Sequence, residues 1–334
     1  MTITFEEGKR NTQTDLDVAV IDEFRKTGVI PDSLIFHDVV NPAGGGATLS
    51  YSYRRLITQA TASTRAINTE YADQNVETKT FVTELAVMGG SFKIDRVVAK
   101  LGPASSGGIA LNMAQKIKST NAEFANLVIN GDTATDANSF DGLDKALTGS
   151  STEYRTDQIT NWSDFDSDTR SVHRALDHID EFLSRLDGAP TILVGNASVL
   201  ARVRAAVRRA DQYVRSPIDN LAGSDGRPIE RQYYNNVLLG DAGAKAGSND
   251  PIIPITTRTI KGETHTGLTD LYAYRVGLDG FHGVSTIDGQ LAQAWLPDFS
   301  TSGAVKRGEV ELGPISVALK ATKAAAVFRN IKVR

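Results

Sequence analysis

Seven arginines and no lysine fall between Arg202 and Arg231: Arg202, Arg204, Arg208, Arg209, Arg215, Arg227 and Arg231. A guanidinium is a planar fork of donors that grips carboxylate or phosphate in pairs, which an ammonium cannot do. Three readings stay open for this run: arginine against acidic groups of a neighbouring copy, a solvated helix face, or contact with a polyanion. A second charged set mixes signs, with Arg54, Arg55 and Arg65 among Glu70, Asp73, Glu77 and Glu84. Exposed ion pairs contribute only ~0.2–1 kcal/mol each, so such a set suits register between subunits rather than stability.

Residues that would do catalysis are scattered. His173 and His178 are five apart and miss the three-or-four spacing of a shared helix face, and His37, His265 and His282 stand alone. No HExxH pair and no G-x-S-x-G elbow occurs. Gly44–Gly46 and the Gly243–Gly247 stretch lack the GK[ST] ending of a phosphate loop and read as flexible joints. Asp164, Asp166 and Asp168 lack the glycine and distal glutamate of a calcium loop and suit the positive start of a helix. The chain has no cysteine, which excludes thiolate chemistry and disulfides and fits a reducing cytoplasm. No catalytic residue, metal or cofactor is therefore assigned. An α+β hydrolase or sugar-binding enzyme would need a clustered acid–base set.

At 334 residues with net charge -4, the chain can bury a large core and is not a basic nucleic-acid binder. No run is long enough to span a bilayer, and the first residues lack a signal-peptide pattern.

The elements that must position these charges are mixed. Residues 1 to about 40 form an arm: Asp15, Asp17, Val18, Val20, Ile21 and Phe24 suggest a short helix stopped by Pro31, and Leu34–Phe36 a short strand. So few apolar residues cannot offset the entropy of ordering the arm alone, so it is expected to lie against a neighbouring subunit. Strict alternation from Ala47 (Leu49, Tyr51, Tyr53, Ile57) predicts a half-exposed strand, Ala62–Gln74 a loop, and Glu77–Met88 a returning strand broken by Gly89-Gly90. Such a ribbon is marginal alone.

Ile109, Met113, Ile117, Thr120, Phe124 and Val128 mark one face of a long helix that starts near Gly107-Gly108 and ends at Asn130-Gly131 through left-handed residues. A second helix is predicted over Asn161–Leu186, capped by Asp164 or Ser167. Its buried face carries Val172, Leu176, Ile179, Leu183 and Leu186, and Gly188 ends it. Pro190–Val194 reads as a strand, Ala197–Ala210 as a third helix, Val237–Leu239, Ile252-Ile253 and Leu271–Val276 as strands, and Glu309–Arg334 alternates again. The class is α+β.

In this order the elements resemble the major capsid proteins of tailed bacteriophages, the HK97-type fold that encapsulins share. The matching segments are the ribbon at 47–98, the helix closing in Leu127–Asp132 with Phe140–Leu143 after it, Thr191–Leu200, Tyr272–Gly280 and Ala324–Ile331. The resemblance spans nearly the whole chain; each motif is short, and their order carries the weight. It implies an N-terminal arm (1–46), an extended loop (47–98), a peripheral domain with a long spine helix (99–189 and 305–334) and an axial domain (190–304).

It also implies a structural protein of the virion, assembled in the host cytoplasm as pentamers and hexamers around double-stranded DNA, without sequence-specific binding. The implied partners are further copies of itself, a separate scaffolding protein, a portal and a decoration protein, with no membrane. An encapsulin-type compartment holding cargo enzymes is the alternative. Arg54, Arg55, Arg65, Glu70, Asp73, Glu77, Arg202, Arg204, Arg208, Arg209 and Arg215 are the candidate inter-subunit contacts. Some relatives join subunits by a lysine–asparagine isopeptide bond, for which Lys79, Lys93 and Asn330 are the residues of the right type.

Overall fold

The computed structural model describes residues 28–40, 49–99, 103–166, 168–210, 214–222, 228–286 and 292–334; within these, the side chains of 103–107, 169, 214–222 and 228–231 are outside the description. The predicted helix at 15–24, the join at 42–46, Ser167 and Arg227 therefore lie outside the described residues.

The described chain opens with a short helix, α1 (Ile30–Ser33), and strand β1 (Phe36–Val40). Pro31 occupies the first turn of α1, where its missing N–H costs nothing. Next come β2 (Ser50–Leu56), β3 (Thr78–Glu84), β4 (Ala86–Asp95), α2 (Arg96–Ala99) and the long helix α3 (Pro103–Asn130). They are followed by α4 (Leu143–Leu147), β5 (Glu153–Tyr154), β6 (Thr160–Asn161), α5 (Thr169–Leu183), β7 (Ile192–Gly195) and α6 (Ala197–Arg209). The chain then forms β8 (Val214–Ala222), β9 (Pro228–Tyr234), β10 (Val237–Asp241), β11 (Thr256–Ile260), β12 (Glu263–Tyr274), β13 (Phe281–Thr286) and β14 (Ala292–Trp295). It closes with β15 (Val305–Leu319), a 3₁₀ turn (Thr322–Ala324) and β16 (Ala325–Lys332).

The described residues form three sheets. Sheet one has the order β1-β13-β15-β14, with β4 on the other edge of β15; sheet two runs β5-β16-β12-β7-β10-β9-β8, with β11 on β12 and β6 on β16. The third is the isolated pair β2-β3. β7, β10 and β12, from the segment 190–304, share sheet two with β5, β6 and β16 from the flanking segments, so that boundary runs through a continuous sheet.

Two cores lie against these sheets. One packs Phe124, Val128 and Ile129 of α3 on Ile315, Val317 and Phe281 of sheet one. The other packs Val172, Leu176, Ile179 and Phe182 of α5 and Val199 and Val203 of α6 on Leu193, Leu271 and Phe328 of sheet two. Each such side chain contributes ~1.5–3 kcal/mol by leaving water.

Five local expectations change. α3 begins at Pro103, so Gly107 and Gly108 sit inside it rather than at its start. On its apolar stripe Ile117 is 43% exposed, while Met113 reaches a small separate cluster with Phe92 and Val310. Gly131 is not left-handed: a Cβ there would lie 2.2 Å from the carbonyl oxygen of Phe140, so glycine is needed for close approach. Gly89 likewise does not break the returning strand. β4 passes through it because a Cβ would lie 2.3 Å from Val310 O of the paired β15. The chain instead leaves strand at Leu85, between β3 and β4. The second helix starts at Thr169, with Asp168 rather than Asp164 or Ser167 as its cap: Arg170 N–H donates to the Asp168 carboxylate at 2.9 Å.

Candidate inter-subunit surfaces

The ribbon is anchored at one end only. Seven pairs from Ser50↔Glu84 to Leu56↔Thr78 make its ladder, and every residue from Gln59 to Thr80, through the tip and into the ladder's last three pairs, is exposed. Its root rests on sheet one, where Tyr51 and Tyr53 pack on Val40, Leu85, Val284 and Ala318. Thr83 and Ser316 hydroxyls meet at 2.8 Å. Arg55 adds a strut: it donates to Leu319 O and to Thr322 Oγ1, and lies 4.1 Å over the Phe81 ring. A cavity of about 630 Å³ separates the ribbon from the body, lined by Arg55, Phe81 and Glu84 on one side and Lys145, Phe281 and Leu319 on the other. The tip holds itself only locally, through Thr61 N–H and hydroxyl to Gln74 Oε1 and Glu77 N–H to Thr58 Oγ1.

The charged residues singled out on this ribbon separate by direction. Arg55 turns inward, as just described. Arg65 donates to Ala66 O and Thr69 O and covers the Tyr71 ring. Arg54, Glu70, Asp73 and Glu77 are exposed, and among the described residues no ion pair joins the ribbon's own arginines to its own acids. The same outer surface carries Leu56, Ile57, Ile67, Tyr71, Val76 and Val82, each more than half exposed.

The arginines of α6 also divide. Asn196 caps the helix through Val199 N–H, and Val199, Leu200, Val203 and Val207 are buried, which leaves the arginines on the outer face. Arg202 donates to Val333 O and Arg204 to Gln232 Oε1. Arg209 pairs with Asp166 at 2.8 Å and lies over Phe165. Arg208 is exposed and has no side-chain partner among the described residues. Arg215 stands on β8 opposite Gln232; its side chain and that of Arg231 are outside the description.

One charged constellation was not anticipated. Arg329 on β16 bonds Asp144, Glu153 and Asp270, and Arg258 grips Asp270 with two donors at 2.6 and 2.8 Å. Burial alone would lower the Arg329 guanidinium, but the Asp270 and Asp144 carboxylates outweigh it and hold it above the ordinary arginine value. Burial, then Asp270 and Asp144, hold the Tyr272 phenol well up, so it stays protonated and donates to Asp144 Oδ1 at 2.7 Å. Asn330, left-handed at φ 57°, donates to Arg155 O and Thr156 O and accepts from Arg258. Its amide is thus fully used inside the chain and is not presented to Lys79 or Lys93 of another copy. The sequence sign was available: Asp270 is the one charge in Leu268–Tyr274, and Arg329 the one charge in Ala324–Ile331.

Among the described residues no group of three metal-ligating side chains gathers, and no helix is long and apolar enough to cross a membrane.

No family model and no curated protein matches the sequence. Solved structures do. The SrpI encapsulin complex of Synechococcus elongatus PCC 7942 matches 97% of this chain and 94% of its own, at 15% identity and a TM-score of 0.57. Mycobacterium phage Bobi matches over 98% of both chains at 10% identity and a TM-score of 0.55. The capsid of a native GTA particle matches over 95% and 94% at 11% identity and a TM-score of 0.54. The chain has the HK97-type capsid fold, an α+β architecture with an extended ribbon and a long spine helix.

Proposed function

We propose that the protein is a shell-forming capsid subunit, the major capsid protein of a tailed bacteriophage, whose pentamers and hexamers close into an icosahedral head around double-stranded DNA. The observation that carries this reading is the ribbon. A two-stranded sheet is marginal in water on its own, yet here one projects with an apolar outer surface and 22 consecutive exposed residues, Gln59 to Thr80. A neighbouring copy supplies the missing contact, and heterologous contacts that close by rotation generate rings. Arg54, Glu70, Asp73 and Glu77 on the ribbon and Arg208 on α6 are the charges left to set register between copies.

An encapsulin-type compartment is the second reading, favoured by the end-to-end likeness to an encapsulin. Purified particles decide between them. Negative-stain microscopy with nuclease digestion should find closed shells protecting phage-length double-stranded DNA. Shells that hold a protein cargo and no nucleic acid would favour the compartment. A monodisperse monomer under assembly conditions, with candidate scaffold present, would overturn both.

A further inference from the structure

The seam between ribbon and sheet one contains a pair of histidines, His282 buried and His37 half-buried, that shell assembly leaves unexplained. His37 on β1 and His282 on β13 face each other with ring centroids 5.9 Å apart, and Tyr51 of β2 meets both edge-on at 6.3 and 6.2 Å. His282 is wholly buried. Among the described residues neither of its ring nitrogens, nor Nδ1 of His37, has a hydrogen-bond partner; the carbonyls of Gly277 and Gly280 approach His282 without completing a bond. Buried polar atoms in a native fold are nearly always paired, so this cluster calls for a reason.

The groups facing the pair are neutral or cationic. Lys320, just past β15, lies 5.6 Å from the Tyr51 ring. β2 contributes Tyr51, Tyr53 and Arg55, β3 contributes Thr83, and β15 contributes Ser316 and Ala318. The acids of these strands point elsewhere. Strand alternation puts Asp38 on the opposite face of β1, where its carboxylate accepts from Ser285 Oγ, and Glu84, exposed on the alternate face of β3, borders the ribbon–body cavity, which neither histidine lines.

We infer that this histidine seam is a proton-operated catch: neutral imidazoles let the ribbon root close on sheet one, and protonation forces the root open. A proton taken up at His282 places a cation beside Lys320 and a second imidazole; among the described residues no carboxylate bonds either ring, and Asp279, in the loop whose carbonyls approach His282, is held by Arg275 at 2.9 Å. Parting the seam admits water and is the available relief. Burial, then Lys320 and His37, push His282 down to about 4, whereas a water-exposed ring titrates near 6.5. The parted state therefore binds more protons. Closure is at full strength above about pH 6.5 and weakens as pH falls from there through about 4.

Two measurements on the full-length protein test the catch. Histidine C2-hydrogen exchange, read ring by ring by mass spectrometry, should place His282 well below a free imidazole. Amide exchange at Phe36–Val40 and Tyr51–Tyr53, corrected for intrinsic rate, should lose about tenfold protection between roughly pH 6.5 and 4.5, with Ile192–Gly195 unchanged as reference. His282→Phe should keep the neutral-pH protection and abolish the acid loss. Should that variant not fold, His37→Leu removes one facing group that can charge and should move the loss to lower pH. Ordinary titration of His282, wild-type acid loss in His282→Phe, an unmoved midpoint in His37→Leu, or loss of the reference amides in parallel would each overturn the proposal.

Discussion

Sheet two and the ribbon solve the same problem in opposite ways. In sheet two the charges are inside and fully answered: Arg329 and Arg258 meet Asp144, Glu153 and Asp270, and apolar helices cover the face. On the ribbon the charges point outward, apolar side chains are exposed, and attachment is confined to Arg55, Thr83 and the tyrosines at the root. The difference teaches where folding ends and assembly begins. Sheet two carries its own stability, whereas the ribbon's outer contacts are left for another molecule.

The comparison can be broken from the stable side first. Phe328 is fully buried against Tyr154, Trp162 and Phe182. Phe328→Ala should cost ~3–5 kcal/mol in urea unfolding, through the lost transfer and the cavity left behind. Arg329→Met should cost a similar ~3–5 kcal/mol because it strands buried carboxylates without a partner. A loss below ~1 kcal/mol would mean that solvent already reaches this network.

On the ribbon, Arg55→Ala removes a charged donor from Leu319 O and should cost ~1.5–3 kcal/mol locally, read as faster exchange at Tyr51–Tyr53 with the unfolding midpoint of the body unchanged. Arg209→Ala breaks only an exposed pair with Asp166 and should cost ~0.2–1 kcal/mol. Arg208→Glu should leave the unassembled chain's melting unaltered and reduce particle yield; normal particles would remove α6 from the assembly surface. Intact-mass analysis of denatured particles should show monomer alone, since Asn330 is committed within its own chain.

Much of the fold was legible where a local signal and the packing agreed. α6 follows prediction to within a residue because a buried strand, an Asn cap and an apolar stripe all point the same way at Ile192–Arg209. Tyr51 and Tyr53 marked β2 for the same reason, whereas Leu49 and Ile57, expected on their face, lie outside the strand and are exposed. What stayed hidden depends on residues far apart in sequence. Gly89 reads as a breaker until it is paired with Glu311 of β15, 222 positions on, which forces close backbone approach. The arginines of α6 read as one cluster, but Val333, Gln232 and Asp166 each claim one of them. His37 and His282 read as isolated residues because 245 positions separate them, and parallel pairing of β1 with β13 brings them together.

Hydrogen exchange along the ribbon, in the unassembled chain and in purified particles, addresses the central claim most directly. Amides from Ile57 to Glu77 should exchange at nearly the unprotected rate in the solitary molecule and slow at least tenfold in particles, while Ile192–Gly195 and Ala325–Lys332 stay protected in both. Equal protection of the tip in both states would contradict the view that neighbouring copies complete it.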